Sequence, residues 1–313
     1  MILIKSSHKD VSTFQVAEWL LSFKKKFTII CETDIIDSVN YSYNEYGQQI
    51  TCLETTTGKK FDTKSVDSFW YRRGKFVYKG AGQSDLSKEI SENLKNEWDA
   101  LNNEIFRQLE SKPSLGSYFG RIPNKLEVLS IAAKIGLRIP KTLITDNCND
   151  VINYFGNGDV ISKTISEVLY YVDQDTVYTN KTVLVDISNL PEKFYPSLFQ
   201  ERIKKKYEIR SFYMKGKFYS MAIFSQLDSK TEIDYRNYNY IKPSRSVPYR
   251  LNPSLEYSLT QLMEDLMLNT GSIDLIVSES GEIFFLEVNP NGQFGMVSDP
   301  CNYYLEKQIA ANL

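Results

Sequence analysis

The sequence predicts an α/β protein, mixed α+β in its later parts, with three consecutive regions at 1–115, 116–195 and 196–313. Three observations carry that reading. The first thirty or so residues run strand, helix, strand, the pattern of a βαβ unit. The middle of the chain places helix signals among β-forming runs. Near the end, Gly271 to Phe294 (GSIDLIVSESGEIFFLEVNPNGQF) holds two strand-like runs around the turn dipeptide Ser280-Gly281.

Composition narrows the functional classes. Hydrophobic residues make up 42% of the 313, enough for a sizeable core. A net charge of −2 gives no reason to expect nucleic acid or a membrane surface as the main partner. Cys31, Cys52, Cys148 and Cys301 are far apart and form no CxxC, as expected of reduced thiols in a cytoplasmic protein. The opening MILIKSS turns polar too soon for a signal peptide, and no apolar run approaches membrane-spanning length. With His8 as the one histidine, a histidine-based zinc cluster is excluded, and His8 itself reads as structural or solvated.

In chain order, Ile2 to Lys5 reads as a buried strand. Ser12, with Gln15 three residues on, reads as the cap of a helix whose Val16, Trp19, Leu20 and Phe23 share a face. Lys24 to Lys26 ends that helix, and Phe27 to Cys31 is the second strand. Residues 40–64 suggest an antiparallel excursion. Ser68 to Arg73 is a further strand. Its two terminal arginines are either a solvated strand end or an anion contact. Leu86 to Ser111 is an amphipathic helix with Ile90, Leu94, Trp98, Leu101, Ile105 and Leu109 in one stripe, either core or a subunit interface.

Pro113, Gly116 and Gly120 mark the first boundary. Asn124 caps the next helix, whose inward positions are Leu126, Leu129 and Ala133 and which Gly136 stops. Lys125 in its first turn is out of place for the helix dipole unless an anion binds there. Strands follow at Thr142–Thr145 and Val160–Lys163, and a tyrosine- and valine-rich stretch at 167–190 adds more. Gly156-Asn157-Gly158 precedes a strand, so it is no dinucleotide fingerprint.

Ser197 to Ile203 is a strand, followed by a charged turn at Lys204–Lys206. Tyr207–Met214 and Phe218–Gln226 form a hairpin about Lys215-Gly216, which places Glu208 and Arg210 on one face. Residues 228–250 form a long polar and aromatic segment of the functional or disordered kind. Leu255 to Leu268 is a helix, and a short helix begins near Tyr303. In the 271–294 hairpin, a two-residue turn sets Val277 opposite Phe284, Leu275 opposite Leu286 and Ile273 opposite Val288 as the apolar face. Asp274 then falls opposite Glu287, with Asn289 two residues on. Opposed carboxylates repel, and with an amide oxygen beside them they are ligands of the kind Mg²⁺ takes. The alternative is a hairpin whose acids point into water.

Taken together, SSHKDVST, SFWYRRG, RIPNKLEVLSIAAKIGL, FQERIKKKYEIRSFY, GSIDLIV and FFLEVNPNGQF resemble the ATP-grasp superfamily. Within it they resemble the peptide maturases of graspetide (microviridin-type) pathways, the grasp-with-spasm branch. The resemblance implies an ATP-grasp fold, with a pre-ATP-grasp domain followed by two subdomains that clasp ATP. It implies that Lys125 and Lys163 hold phosphates and that Gln200, Glu201, Arg202 and Ile203 line the adenine hinge. Glu208 would meet the ribose and Arg210 the transferred phosphate, while Asp274, Glu287 and Asn289 would bind two Mg²⁺. Apart from the resemblance, bidentate chemistry suits Arg236 or Arg245 to grip a substrate carboxylate, the alternative being that both merely decorate a loop. The implied activity is ATP-dependent joining of Asp or Glu side chains of a ribosomal precursor peptide (leader plus core) to Ser/Thr hydroxyls or Lys amines, closing macrocycles. A radical-SAM SPASM partner enzyme and a homodimer are implied as well. The rival readings are another ATP-grasp carboxylate–amine ligase and a non-catalytic nucleotide-binding scaffold. Lys163 is followed by TISEVLYY, which lacks the glycine-rich loop that many ATP-grasp enzymes close over the phosphates.

Overall fold

A computed structural model describes the chain apart from residues 46, 48, 81–85, 121–123, 167–169, 174–175, 180–181 and 227–243; for 49, 170–173 and 176–179 it describes the backbone. Two compact units emerge, one from 1–121, 268–270 and 290–313, the other from 122–267 and 271–289.

The first unit opens with β1 (Ile2–Lys5), α1 (Val11–Ser22) and β2 (Phe27–Ile30), and the two strands run parallel as a βαβ unit requires. The cap of α1 is Asp10 rather than Ser12: the Asp10 carboxylate accepts the Thr13 N–H and starts the helix early, so Gln15 lies inside it. Aspartate caps as well as serine does, and Asp10 has further partners described below. The antiparallel excursion is β3 (Ile36–Tyr43), β4 (Gln49–Thr55) and β5 (Lys60–Asp62). The chain then returns as β6 (Ser68–Tyr71), parallel to β1 on the side away from β2. After α2 (Lys88–Glu110), β7 (Ser114–Leu115) completes a parallel sheet in the order β2-β1-β6-β7. Leu3, Phe69, Tyr71, Ile105, Phe106 and Leu109 form its core. Only the later half of the α2 stripe takes part, since Ile90 and Leu94 are exposed.

The second unit begins with α3 (Lys125–Lys134), capped by Asn124 as expected. It buries Val128, Leu129 and Ala132, a face turned slightly from the predicted one. There follow β8 (Thr142–Asn147), α4 (Cys148–Phe155), β9 (Val160–Lys163), β10 (Tyr170–Asp173), β11 (Thr176–Thr179), β12 (Val183–Leu184) and β13 (Lys193–Glu201). The sequence reading missed α4, which starts without a connecting loop on the Asn147 cap. One antiparallel sheet has the order β12-β9-β13-β8, and β10 and β11 pair as a separate ribbon. A second sheet, β16-β15-β14-β17-β18, is built from β14 (Lys205–Met214), β15 (Lys217–Phe224), β16 (Arg245–Tyr249), β17 (Thr270–Ser278) and β18 (Ile283–Asn289). Lys215 and Gly216, both at positive φ, make the two-residue turn between β14 and β15. Before β17 lies α5 (Pro253–Asp265), buried through Leu259, Leu262 and Met263. Strand β14 begins at Lys205, so the charged turn expected at 204–206 is mostly strand. Beyond β18, α6 (Gly295–Cys301) and α7 (Leu305–Asn312) belong to the first unit, where α7 packs on α1.

Two residues of the first unit carry measurable consequences. Gly116 has φ +71, and a Cβ there would lie 2.3 Å from the Tyr71 carbonyl oxygen. Gly116→Ala is expected to destabilise by on the order of 2–3 kcal/mol, read as a lower urea midpoint, because both the left-handed backbone and the clash are with main chain. Lys5 is fully buried at the end of β1, and among the described residues the one hydrogen bond of its ammonium goes to the Ser6 carbonyl at 3.1 Å. Burial lowers its pKa from 10.5 to about 8. Between those values the unfolded chain binds the extra proton, so stability rises with pH across that window, by roughly 3 kcal/mol in full. Lys5→Met should therefore be more stable than the wild type at pH 7, with the difference shrinking toward pH 10 in denaturation curves.

Candidate functional site

The β17–β18 hairpin does not follow the simple two-residue turn. The Ser278 N–H donates to Glu282 O at 2.8 Å and the Gly281 N–H to Ser278 O at 2.9 Å, leaving Glu279, Ser280 and Gly281 as a three-residue loop. Gly281, at φ +87, supplies the left-handed residue that such loops need. The longer loop slips the register by one residue, so Val277 faces Ile283 and Leu275 faces Phe285. These two pairings correct the expected ones. A bulge at Leu286 then restores the register, and Asp274 faces Glu287, Ile273 faces Val288 and Ser272 faces Asn289. Phe285 thereby takes the apolar face, while Phe284 joins the face of Asp274.

That polar face extends across the sheet. On β14, Glu208 and Arg210 are both buried and share a face. Arg210 Nη1 donates to both carboxylate oxygens of Asp274, at 3.0 and 3.1 Å, with each side chain only 7% exposed. Lys205 Nζ donates to Glu208 Oε1 at 2.5 Å, and Ser225 Oγ lies 3.5 Å from Oε2. Asp274, Glu287, Asn289 and Ser272 complete the face, and the buried Ser272 Oγ has no hydrogen-bond partner. Among the described residues no cluster of three His, Cys, Asp or Glu could hold a metal by itself. Two carboxylates and an amide instead suit Mg²⁺, which takes few protein oxygens and fills its shell from phosphates and water.

The other sheet divides the adenine-hinge candidates by strand parity. Lys163 stands opposite Leu198 and Gln200 opposite Ile161, so Lys163 and Gln200 share a face. Gln200 is buried; its Nε2 donates to Thr142 Oγ1 at 2.8 Å, and its Oε1 has no hydrogen-bond partner. Glu201 points to the other face, where its carboxylate accepts the Lys141 N–H at 2.8 Å. Arg202 turns to Asp159, through its backbone N–H at 2.9 Å and a guanidinium contact at 3.7 Å. Ile203 is half-buried beyond the strand. Lys125 Nζ donates to Ser166 O at 2.8 Å and lies 3.5 Å from Thr164 O, so it reaches the segment that follows Lys163. In place of a glycine-rich loop, the β10–β11 ribbon follows β9 in the chain.

Arg236 lies outside the described residues. Arg245 is exposed on β16 in register with Phe224, which pairs in turn beside Tyr207; that row is on the opposite face from Glu208 and Arg210. In the first unit, Arg72 is no solvated strand end: it is buried and bound to Asp10. His8 is held by Glu32, with Nδ1 and Oε1 2.5 Å apart. Sequence reasoning missed Ser272, Lys205 and Ser225. Ser272 was accessible from period-two spacing, two residues before Asp274, whereas nothing local distinguishes the buried Lys205 from its solvated neighbours.

No protein-family model matches the chain, and no curated protein does. Solved structures do. A RiPP-associated ATP-grasp ligase from Chryseobacterium gregarium, in complex with ADP and a leader and core peptide, superposes with TM-score 0.83 at 24% identity over 99% of this chain and 94% of that one. The macrocyclase MdnC from Microcystis aeruginosa, bound with precursor peptide MdnA, gives 0.76 at 24% identity over 99% and 97%. A RimK domain ATP-grasp protein from Sphaerobacter thermophilus gives 0.53 at 12% identity over 100% and 98%. The chain has the ATP-grasp fold.

Arg210→Met takes from the buried Asp274 carboxylate its cationic partner, and is expected to cost about 3 kcal/mol or more in urea denaturation with EDTA present. Changing both residues to apolar ones of similar size should recover part of that loss, because the desolvation of two charges is then removed along with their attraction.

Proposed function

We propose that the protein is an ATP- and Mg²⁺-dependent ligase acting on a ribosomal precursor peptide with leader and core. It activates Asp or Glu side-chain carboxylates and joins them to Ser/Thr hydroxyls or Lys amines of the same peptide, forming macrocyclic esters or amides. The observation that carries this reading is the continuous polar sheet face of Glu208, Arg210, Asp274, Glu287 and Asn289, in a fold shared with ligases solved with ADP and precursor peptides.

The roles follow from chemistry. A carboxylate is a poor electrophile because oxide would have to leave. Its oxygen attacks the γ-phosphorus of ATP, ADP departs, and an acyl phosphate results. The peptide hydroxyl or amine then attacks the acyl carbon, phosphate departs, and one proton is lost. Catalysis of this kind is mostly positioning and charge neutralisation. Lys125 and Lys163 hold phosphate oxygens, Glu208 meets the ribose, and Arg210 neutralises the transferred phosphoryl group. Gln200 and the backbone of Glu201 to Ile203 seat the adenine; the side chains of Glu201 and Arg202 are engaged elsewhere. Asp274, Glu287 and Asn289 hold Mg²⁺, which supplies positive charge to the phosphates. No protein nucleophile is required. Arg236 as a grip for the substrate carboxylate belongs to this proposal through the bidentate chemistry of arginine, the cytoplasm as location through the reduced cysteines, and a radical-SAM SPASM partner and a homodimer through the resemblance of the sequence.

Incubation of the protein with ATP, Mg²⁺ and a precursor peptide encoded beside it is expected to remove the mass of one water per cross-link, read by mass spectrometry. Glu287→Gln should slow that loss by on the order of a hundredfold or more. An unchanged peptide mass with ADP accumulating would overturn the macrocyclase reading in favour of another carboxylate acceptor.

A further inference from the structure

The first unit gathers cations at one end of its parallel sheet. Chain direction makes β1 the centre: the chain leaves it toward β2 and later returns on its other side as β6. The crevice beyond the carboxyl ends of such strands, at the point where the order reverses, is where open α/β sheets hold ligands. Lys5 ends β1, and Arg72 and Arg73 follow β6, with both of their N–H groups directed to the Lys5 carbonyl at 2.8 and 3.3 Å.

Their charge is only partly answered. Asp10 Oδ2 accepts from Arg72 Nη2 and from Arg73 Nε, each at 3.1 Å, so one carboxylate oxygen serves two guanidinium groups. Arg72 is 5% exposed, held over the rings of Trp70 and Phe294, and its buried Nε has no hydrogen-bond partner. Arg73 is 46% exposed, and among the described residues its only side-chain hydrogen bond is the one from Nε. Among the described residues Lys5 makes no ion pair either. The nearby carboxylates are already engaged, Glu32 by His8 and Ser7 and Asp34 by Lys59 and Thr57.

We propose that this strand edge is an anion-binding site in which the outward Arg73 guanidinium, backed by Arg72 and Lys5, takes an acidic side chain of the substrate peptide. The source of the anion rests on the peptide-ligase reading; the site itself rests on the first unit alone. A carboxylate is favoured over phosphate because Asp10 already shows that these guanidinium groups accept one, and because Asp10 occupies the α1 N-terminus where a phosphate would otherwise sit.

The test is calorimetric titration of the full chain, without ATP or Mg²⁺, with blocked tri-glutamate and tri-glutamine peptides. The wild type should bind tri-glutamate and not tri-glutamine. Arg73→Gln should weaken tri-glutamate binding at least tenfold, and Arg73→Lys should restore only part of it, since lysine lacks the planar fork. Arg73 is half exposed, so these variants should keep the wild-type melting temperature. Glu287→Gln, which removes turnover in the ligase reading, should bind tri-glutamate as the wild type does, so failure of either idea is visible without the other. Equal binding of both peptides, unchanged affinity in Arg73→Gln and Lys5→Met, or displacement of tri-glutamate by equimolar inorganic phosphate would each overturn the proposal.

Discussion

The buried ion pair between Arg210 and Asp274 constrains the second unit. Each partner is costly to bury alone, and their attraction offsets that cost only with good geometry and further hydrogen bonds. Nη1 donates to both oxygens of Asp274. Asp274 must therefore point to the same side of the sheet as Arg210, and that requirement fixes the register of β17 against β14. It also brings Glu287 and Asn289 to that side, because they face Asp274 and Ser272 across the hairpin. A cation drawn to these oxygens competes with the guanidinium for Asp274. The pair thus links charge balance in the sheet to the residues proposed to hold Mg²⁺.

The hairpin shows how a register is kept through two irregularities. The three-residue loop at 279–281 shifts every pairing by one, and the Leu286 bulge shifts it back before Glu287. Without the bulge Glu287 would lie opposite Ile273 and face the core. Bulges re-aim side chains in this way beside functional sites. The apolar half of the hairpin is less demanding: Phe285 takes the place on the apolar face expected for Phe284, so an aromatic ring is buried there in either register.

In the first unit Asp10 plays the corresponding part. It caps α1, and it pairs with Arg72 and Arg73, which directly follow β6. One carboxylate satisfies a helix terminus and holds two cations, while Arg72 Nη1 also donates to the Gly292 carbonyl at 3.4 Å. That arrangement explains why the helix begins at Val11 and not after Ser12, although Ser12 with Gln15 reads as a capping box.

Local pattern in the sequence determined the βαβ start, the amphipathic α2, the Asn124 cap, the two-residue turn between β14 and β15, and the pairing of Asp274 with Glu287. Each of these depends on residues a few positions apart: period two, period 3.6, or a turn dipeptide. The alternation of Glu208 and Arg210 was legible for the same reason. The tertiary structure alone decided which charges pair. Arg210 with Asp274 and Arg72 with Asp10 are set by which elements become neighbours, and no local spacing encodes that; Lys205 with Glu208 is a local pair, three residues apart on β14. It also decided the direction of Glu201 away from Lys163 and of Arg245 away from Arg210, since a strand's parity has functional meaning only once the sheet's two faces are known. The loop at 279–281 and the bulge at Leu286 were invisible individually because their effects on register cancel at the residues that matter.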